Sequence, residues 1–378
     1  LARTKGAMML WPCLPRRAMV AVGAILLTAV ASGCATGDDE PGNAADPPDA
    51  QADDDGHDRR DAEPPPVGQQ DQAPQASIVV TTSILGDIVG DLVAGEARVE
   101  VLMPPGTDPH GFEPSAQQIG LLREADLVVA NGLNLEENLV TVLESAQQEG
   151  VRVFEVAPQL EPLAFEPPIE HHHGAHDHDD PHDHEGAHDH GGHTHGPEDP
   201  HVWFDPIRMA TATELIADEL ARTVPHVPVQ DWQDRADAYA QMLRTLDDEL
   251  HQILADIPQD DRKLVTNHDA LAYFAARYDF SVVGTVIPGT STQVDADARG
   301  FAQLIETIEE AGVDVVFADA TDTTVLADQL ARELRQRGGR TIDVVRLHTG
   351  ALGEAGSGAE TYPDLLRSTA SRIAEALG

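Results

Sequence analysis

From Ser77 onward the chain alternates between two hydrophobic periods. SIVVT (77–81) is a short β-branched run, ILGDIVGDLV after it carries apolar residues at helical spacing, and ARVEVLM (97–103) reads as strand again. Ser115 to Glu124 follows as a helix, with Ser115 and Gln118 placed for a capping box. DLVVAN (126–131) predicts a strand, Glu136 to Gln148 a helix and VRVFEV (151–156) a strand. The alternation then lapses. Pro206 to Val224 and Gln230 to Ile257 read as polar helices with no strand between them, the second about seven turns long. It resumes with KLVTN (263–267), a helix over Ala270 to Tyr278, SVVGTVI (281–287), a helix over Ala298 to Ala311, VDVVFA (313–318), a helix over Val325 to Arg337, IDVVRL (342–347) and a final helix. Strands alternating with helices predict an α/β fold, each sheet mostly parallel and flanked by helices. Two such lobes joined by one long rigid helix leave a single cleft between them.

Residues before Ser77 do not follow this pattern. The chain opens on Leu1, with Met8, Met9 and Met19 as candidate starts. Arg16 and Arg17 precede an apolar run from Ala18 to Val30, which ends at Ala31-Ser32-Gly33-Cys34. A basic region, a short apolar region and small residues before a cysteine read as a secretory signal ending in a lipobox. Ala31 departs from the usual leucine, and ordinary signal-peptidase cleavage is the competing reading. On the lipobox reading Cys34 is the lipidated first residue of the mature chain. Residues 35–76 are rich in Asp, Pro, Gly, Ala and Gln and carry too little apolar surface to fold, so they read as an acidic disordered tether. The expected plan is a signal peptide over 1–34, the tether over 35–76, an N-terminal lobe over 77–205, connecting helices over 206–260 and a C-terminal lobe over 261–378.

The net charge of −42 argues against a nucleic-acid partner. The two cysteines, Cys13 and Cys34, both fall in or at the end of the leader, so the folded part has neither a disulfide nor a thiolate metal site. Any soft-metal chemistry there must use imidazole and carboxylate. Eighteen histidines make that chemistry plausible, and eleven of them fall in one stretch: His171, His172, His173, His176, His178, His182, His184, His188, His190, His193 and His195. This Gly-, Asp- and His-rich tract cannot pack and is expected to be a disordered loop over 171–197 that supplies many weak, exchanging metal sites.

Three histidines outside the tract have unusual local contexts. His110 lies in MPPGTDPHGFEPS, between a strand and the helix capped by Ser115. His201 lies in EDPHVWFDP, just before a helix that Asp205 can cap with Pro206 at its first position. His268 lies in VTNHDALAYF, at the carboxyl end of a strand, where open α/β sheets bind ligands. Asp319 and Asp322 follow the strand VDVVFA in the same placement. Three imidazoles and one carboxylate would suit zinc. His226, His251 and His348 read as ordinary turn, helix-face and strand-end residues.

These stretches resemble the metal-binding receptors of bacterial ABC importers for zinc and manganese, the ZnuA/TroA-like cluster of solute-binding proteins. The resemblance covers Ser77 to Gly378 and rests on PPGTDPHGFEPS (104–115), ADLVVANGLNLE (125–136), DPHVWFDP (199–206), TNHDALAYFAARYDF (266–280), GTSTQVDADAR (289–299) and VDVVFADATD (313–322). It implies two α/β lobes on a rigid long helix. It also implies His110, His201 and His268 as metal ligands, with a carboxylate from the loop after VVFA. Asp322 is assigned that place, with Asp319 or a water as alternative; the family more commonly has Glu where this chain has Asp319. Zinc-type members resemble this chain in carrying a histidine-rich loop, so the tract is expected to be an accessory that raises local zinc concentration. The implied function is extracytoplasmic capture of Zn2+ by a lipid-anchored, monomeric, non-enzymatic receptor, which delivers it to a membrane permease driven by a cytoplasmic ATPase. In a Gram-negative cell the location would be the periplasm.

The alternatives are a manganese or iron receptor, a zinc hydrolase and a surface adhesin. The hydrolase lacks an HExxH pair, and Glu113, three residues after His110, is its only nearby base. Nothing in the residues speaks for or against adhesion. Because ligand imidazoles must be neutral, metal affinity is expected to fall as pH drops through about 6.5.

Overall fold

The computed structural model describes residues 75–165, 198–294, 298–321 and 326–378. Cys34, the tether up to residue 74, the histidine tract and Asp322 lie outside the described residues. The first sheet holds β1 (Ser77–Val80), β2 (Arg98–Val101), β3 (Leu127–Ala130) and β4 (Val153–Glu155), in the order β2-β1-β3-β4 with every pair parallel. The second holds β5 (Lys263–Thr266), β6 (Ser281–Thr285), β7 (Val315–Asp319) and β8 (Asp343–Leu347), in the order β6-β5-β7-β8, again all parallel. The two lobes therefore repeat one topology, and each sheet reverses its winding direction beside its first strand. The crevice outside the carboxyl ends of the strands at such a reversal is where open α/β sheets bind ligands.

Strand side chains alternate between two apolar layers. Ile78, Val80, Leu127, Val129, Leu264, Val315 and Phe317 point into one continuous interior shared by both lobes. Val79, Val128 and Ala130 face a second cluster on the outside of the first sheet, and Val265, Val316 and Ala318 face a third outside the second. Burial on both faces explains why these strands read as unbroken apolar runs. The helices that cover them are α1 (Ser83–Val93), α2 (Ala116–Glu124), α3 (Val140–Gln148), α6 (Ala272–Tyr278), α7 (Ala298–Ala311), α8 (Leu326–Gly338) and α9 (Tyr362–Leu377).

The connection between the lobes is a helical hairpin, α4 (Pro206–Thr223) and α5 (Val229–Ile253), packed along one another. Asp205 caps α4 by accepting from Ile207 N at 2.9 Å, and Pro206 fills its first position, as the sequence predicts. The long helix α5 buries one stripe (Trp232, Ala236, Tyr239, Leu243, Leu246, Leu250) at helical spacing. It is bonded to both lobes. Near its start Arg235 donates to the α1 carbonyls of Leu92 and Val93 at 3.0 and 3.1 Å. Near its end Asp247 accepts from Arg277 Nε at 2.9 Å, from Arg277 Nη2, and from the Tyr278 hydroxyl at 3.0 Å. The long joining helix is thus present, with α4 as a second strut along it.

Three boundaries differ from the sequence expectation. The helix expected from Glu136 begins as a 3-10 turn over Glu137–Leu139, and α3 starts only at Val140. Its entry is displaced by three successive left-handed residues, Gly132, Leu133 and Asn134 (φ 81°, 53° and 63°). The helix α6 starts two residues late because His268 to Ala270 form a separate turn, with Ala270 N bonded to His268 O at 2.9 Å. The helix α5 ends at Ile253, four residues before Ile257.

Candidate metal centre

His110, His201 and His268 come from three separate loops and meet in the cleft, all buried (2%, 0% and 2% exposed). Their candidate ligand atoms lie within 4.8 Å of one another, the only such His, Cys, Asp or Glu group among the described residues. The Nε2 of His201 lies 3.4 Å from that of His110 and 3.3 Å from that of His268. A tetrahedral zinc with bonds of about 2.0–2.1 Å sets its ligand nitrogens about 3.3–3.4 Å apart. These two spacings therefore fit one ion held by the Nε2 atoms.

Local hydrogen bonds fix how each ring is presented. Asp199 Oδ1 accepts from His201 N at 2.9 Å and pairs with His201 Nδ1 at 2.7 Å. With Nδ1 committed as a donor, the Nε2 lone pair is left for a metal, the arrangement in which a carboxylate orients a ligand histidine. Asp108 does the backbone half of this for His110, accepting its N–H at 3.0 Å. Both histidines end the same tripeptide, Asp108-Pro109-His110 and Asp199-Pro200-His201. For His268 the strand end itself is the mount, with Thr266 Oγ1 donating to His268 O at 2.8 Å.

Burial lowers the pKa of His201 and His268 well below 6.5, with neighbouring His110 and His201 adding to it. Both rings are neutral and ready to ligate at pH 7. Protonation of these two rings is therefore expected at more acid pH than 6.5. Burial also raises Asp199 and Asp269 to about 7, the Asp199 charge adding to the second.

Asp319 ends β7 as a buried carboxylate (2% exposed). It accepts from Thr321 N at 2.6 Å, from Thr321 Oγ1 at 2.7 Å and from Thr349 Oγ1. Thr349 O in turn accepts from Trp203 Nε1 at 3.0 Å, and the Trp203 ring lies 5.1 Å from that of His201. Asp319 is thus joined to the cleft wall but is not gathered with the three imidazoles. His226 is exposed beside Glu96, and His251 Nδ1 pairs with the Asp247 carbonyl at 2.9 Å; neither enters the site. Glu113 is exposed.

The base of the long insertion before His201 is tied down. Asp199 N donates to Leu163 O at 2.8 Å, and Ala164 bridges Glu198 in antiparallel fashion. The Tyr273 hydroxyl accepts from Leu163 N at 2.9 Å and donates to Asp199 O at 2.8 Å.

Two parallel α/β lobes on a helical strut, with three buried histidines converging from loops of both lobes, have the plan of a cleft-type solute receptor. The chain matches the family described as ZnuA, zinc-uptake complex component A, periplasmic, over residues 78–376, and it belongs to that family. It is 27% identical over 302 residues to the manganese-binding lipoprotein MntA of Halalkalibacterium halodurans, covering 80% of this chain and 88% of that one. It is 27% identical over 314 residues to the zinc-binding protein TroA of Treponema pallidum, covering 82% and 92%. With the iron-binding protein YfeA of Yersinia pestis it shares 29% identity over 314 residues, covering 82% and 88%. The solved structure of the periplasmic zinc-binding protein TroA from Treponema pallidum resembles it with a TM-score of 0.68 at 26% identity, covering 80% of this chain and 99% of that one. Members of the family are metal-binding receptors that work with an ABC permease and its ATPase, not enzymes, which sets the hydrolase reading aside. Their place is extracytoplasmic. Among the described residues no helix is long and apolar enough to cross a membrane.

Proposed function

We propose that this receptor captures Zn2+ through His110, His201 and His268 and delivers it to its permease. The observation that carries the reading is the Nε2 spacing of 3.3 and 3.4 Å among three buried imidazoles. Imidazole suits zinc, whereas manganese prefers oxygen ligands, and no carboxylate joins the described cluster. The relatives' names divide among zinc, manganese and iron and so leave the metal open. Asp322 or Asp319 as a fourth ligand would complete a tetrahedron. Anchoring through a lipid on Cys34 and an accessory role for the histidine tract belong to the same proposal, on the strength of their sequences.

The test is metal stoichiometry and competition on the purified chain, with and without residues 171–195. One tight zinc that survives deletion of the tract, outcompetes manganese and is lost in His110→Ala and His268→Ala supports the reading. Tight binding that disappears with the tract while those two substitutions are silent refutes it.

A further inference from the structure

We propose that the 289–294 loop of the second lobe latches the cleft by donating two hydroxyl hydrogen bonds to the carboxylates that flank His110. Glu137 and Asp108 then act as positioning residues that set how fast the metal leaves. The proposal rests on the reading of the three imidazoles as the metal site.

Each carboxylate faces two ways. Asp108 accepts the His110 backbone N–H through Oδ1 at 3.0 Å and the Thr292 hydroxyl through Oδ2 at 2.6 Å. Glu137 Oε1 lies 3.5 Å from His110 Nδ1 and accepts the hydroxyl of Ser291. Ser291 is 2% exposed, and its hydroxyl is held in turn by Gln293 N at 3.0 Å. The loop also lies against the residue after His110: a Cβ on Gly111 would come within 2.8 Å of Gln293 Nε2. Two hydroxyls of one lobe thus grip two carboxylates of the other, and both carboxylates also bear on the same candidate ligand.

The backbone is arranged to bring Glu137 there. Leu133 and Asn134 are left-handed although neither is glycine, a conformation disfavoured for L-residues and kept where the surroundings over-determine it. Glu136 closes that turn as a buried carboxylate, accepting from Asn131 N at 2.8 Å, Gly132 N at 3.1 Å and the Thr81 hydroxyl at 2.6 Å. The next residue, Glu137, is thereby delivered to His110. The buried His110 Nδ1 has no hydrogen-bond partner. A cation on Nε2 makes an Nδ1 proton a stronger donor, so loading would draw His110 toward the carboxylate that Ser291 already holds.

The experiment loads the full chain with zinc and follows its release to an excess of chelator by stopped flow. It uses Ser291→Ala, Thr292→Val, the double variant and the hydroxyl-retaining Ser291→Thr. A hydrogen bond to a charged acceptor is worth about a tenfold change in rate. Each single variant should therefore release zinc about tenfold faster and the double variant about a hundredfold faster, with Ser291→Thr near wild type. The visible spectrum of the Co2+-loaded double variant should stay that of wild type, since the ligands are intact. Glu137→Leu should both accelerate release and alter that spectrum, and Glu137→Gln, which keeps an acceptor, should restore much of both. A double variant that releases within twofold of wild type overturns the latch while leaving the metal site standing. A changed Co2+ spectrum in the double variant also overturns it, because the hydroxyls would then be shaping the site itself. A wild-type chain with no tight zinc sensitive to His268→Ala brings down both readings together.

Discussion

Asp199 is the most informative single position in the cleft. Its Oδ1 serves two His201 donors, the backbone N–H at 2.9 Å and the ring Nδ1 at 2.7 Å, in surroundings where Asp199 is 2% and His201 0% exposed. We predict a graded loss of zinc affinity. Asp199→Asn keeps an oxygen acceptor but loses its charge, which exchanges a hydrogen bond worth roughly 1.5–3 kcal/mol for a neutral one worth roughly 0.5–1.5 kcal/mol. The difference, about 1–1.5 kcal/mol, is a five- to tenfold loss. Asp199→Ala removes both bonds and leaves His201 Nδ1 buried without a partner, so the loss should reach about a hundredfold, the upper range for carboxylates behind ligand histidines. Competition against a chromogenic zinc chelator at pH 7.5 measures both variants, and the melting temperature without metal shows whether either has simply unfolded. Affinity in Asp199→Ala within twofold of wild type would refute the assignment.

Three further outcomes follow from the same geometry. Because burial holds His201 and His268 neutral at pH 7 and Asp199 and Asp269 up near 7, protons displaced by zinc should come from the carboxyls. A group with a raised pKa keeps its proton until pH passes that value, so proton release should be measurable at pH 7 and nearly gone by pH 8.5; calorimetry in buffers of different ionisation heat reads it, and equal release at both values sinks the idea. By the same linkage zinc affinity should decline gently from pH 7.5 to 6.5 as those carboxyls take up protons, and fall steeply only below, where the buried rings protonate; a steep midpoint at 6.5 would show that burial does not protect the rings. Asp247→Ala should cost about 2–4 kcal/mol in urea unfolding, since it leaves Arg277 and the Tyr278 hydroxyl without their shared acceptor; a loss below about 1 kcal/mol would show that water replaces it.

Much of the fold could be read from pattern, and for a physical reason. Strands buried on both faces leave short β-branched runs, and all eight appear in the structure within a residue or two of the expected ends. The three cleft histidines were legible because each sits beside a strand end or a cap, where local sequence carries meaning. The Asp-Pro-His tripeptide that ends at two of them carries a further signal, the aspartate that anchors each histidine, which no hydrophobic period reveals. What could not be read was contact at long range. Ser291 meets Glu137 across 154 residues and Thr292 meets Asp108 across 184, pairings that no local period encodes. The left-handed turn before Glu137 was equally hidden, because only Gly132 of its three residues advertises a positive φ.

The Tyr273 hydroxyl, bonded to both Leu163 and Asp199, makes the base of the insertion a closed collar. What lies beyond a collar has little leverage on what lies inside it. The entropic cost of closing a loop grows only with the logarithm of its length, about 0.6 kcal/mol per doubling. The segment between Ala164 and Glu198 can therefore be lengthened, shortened or recomposed by ordinary mutation while His201 keeps its place. A receptor built in this way can change that segment through evolution without changing the geometry that presents His201.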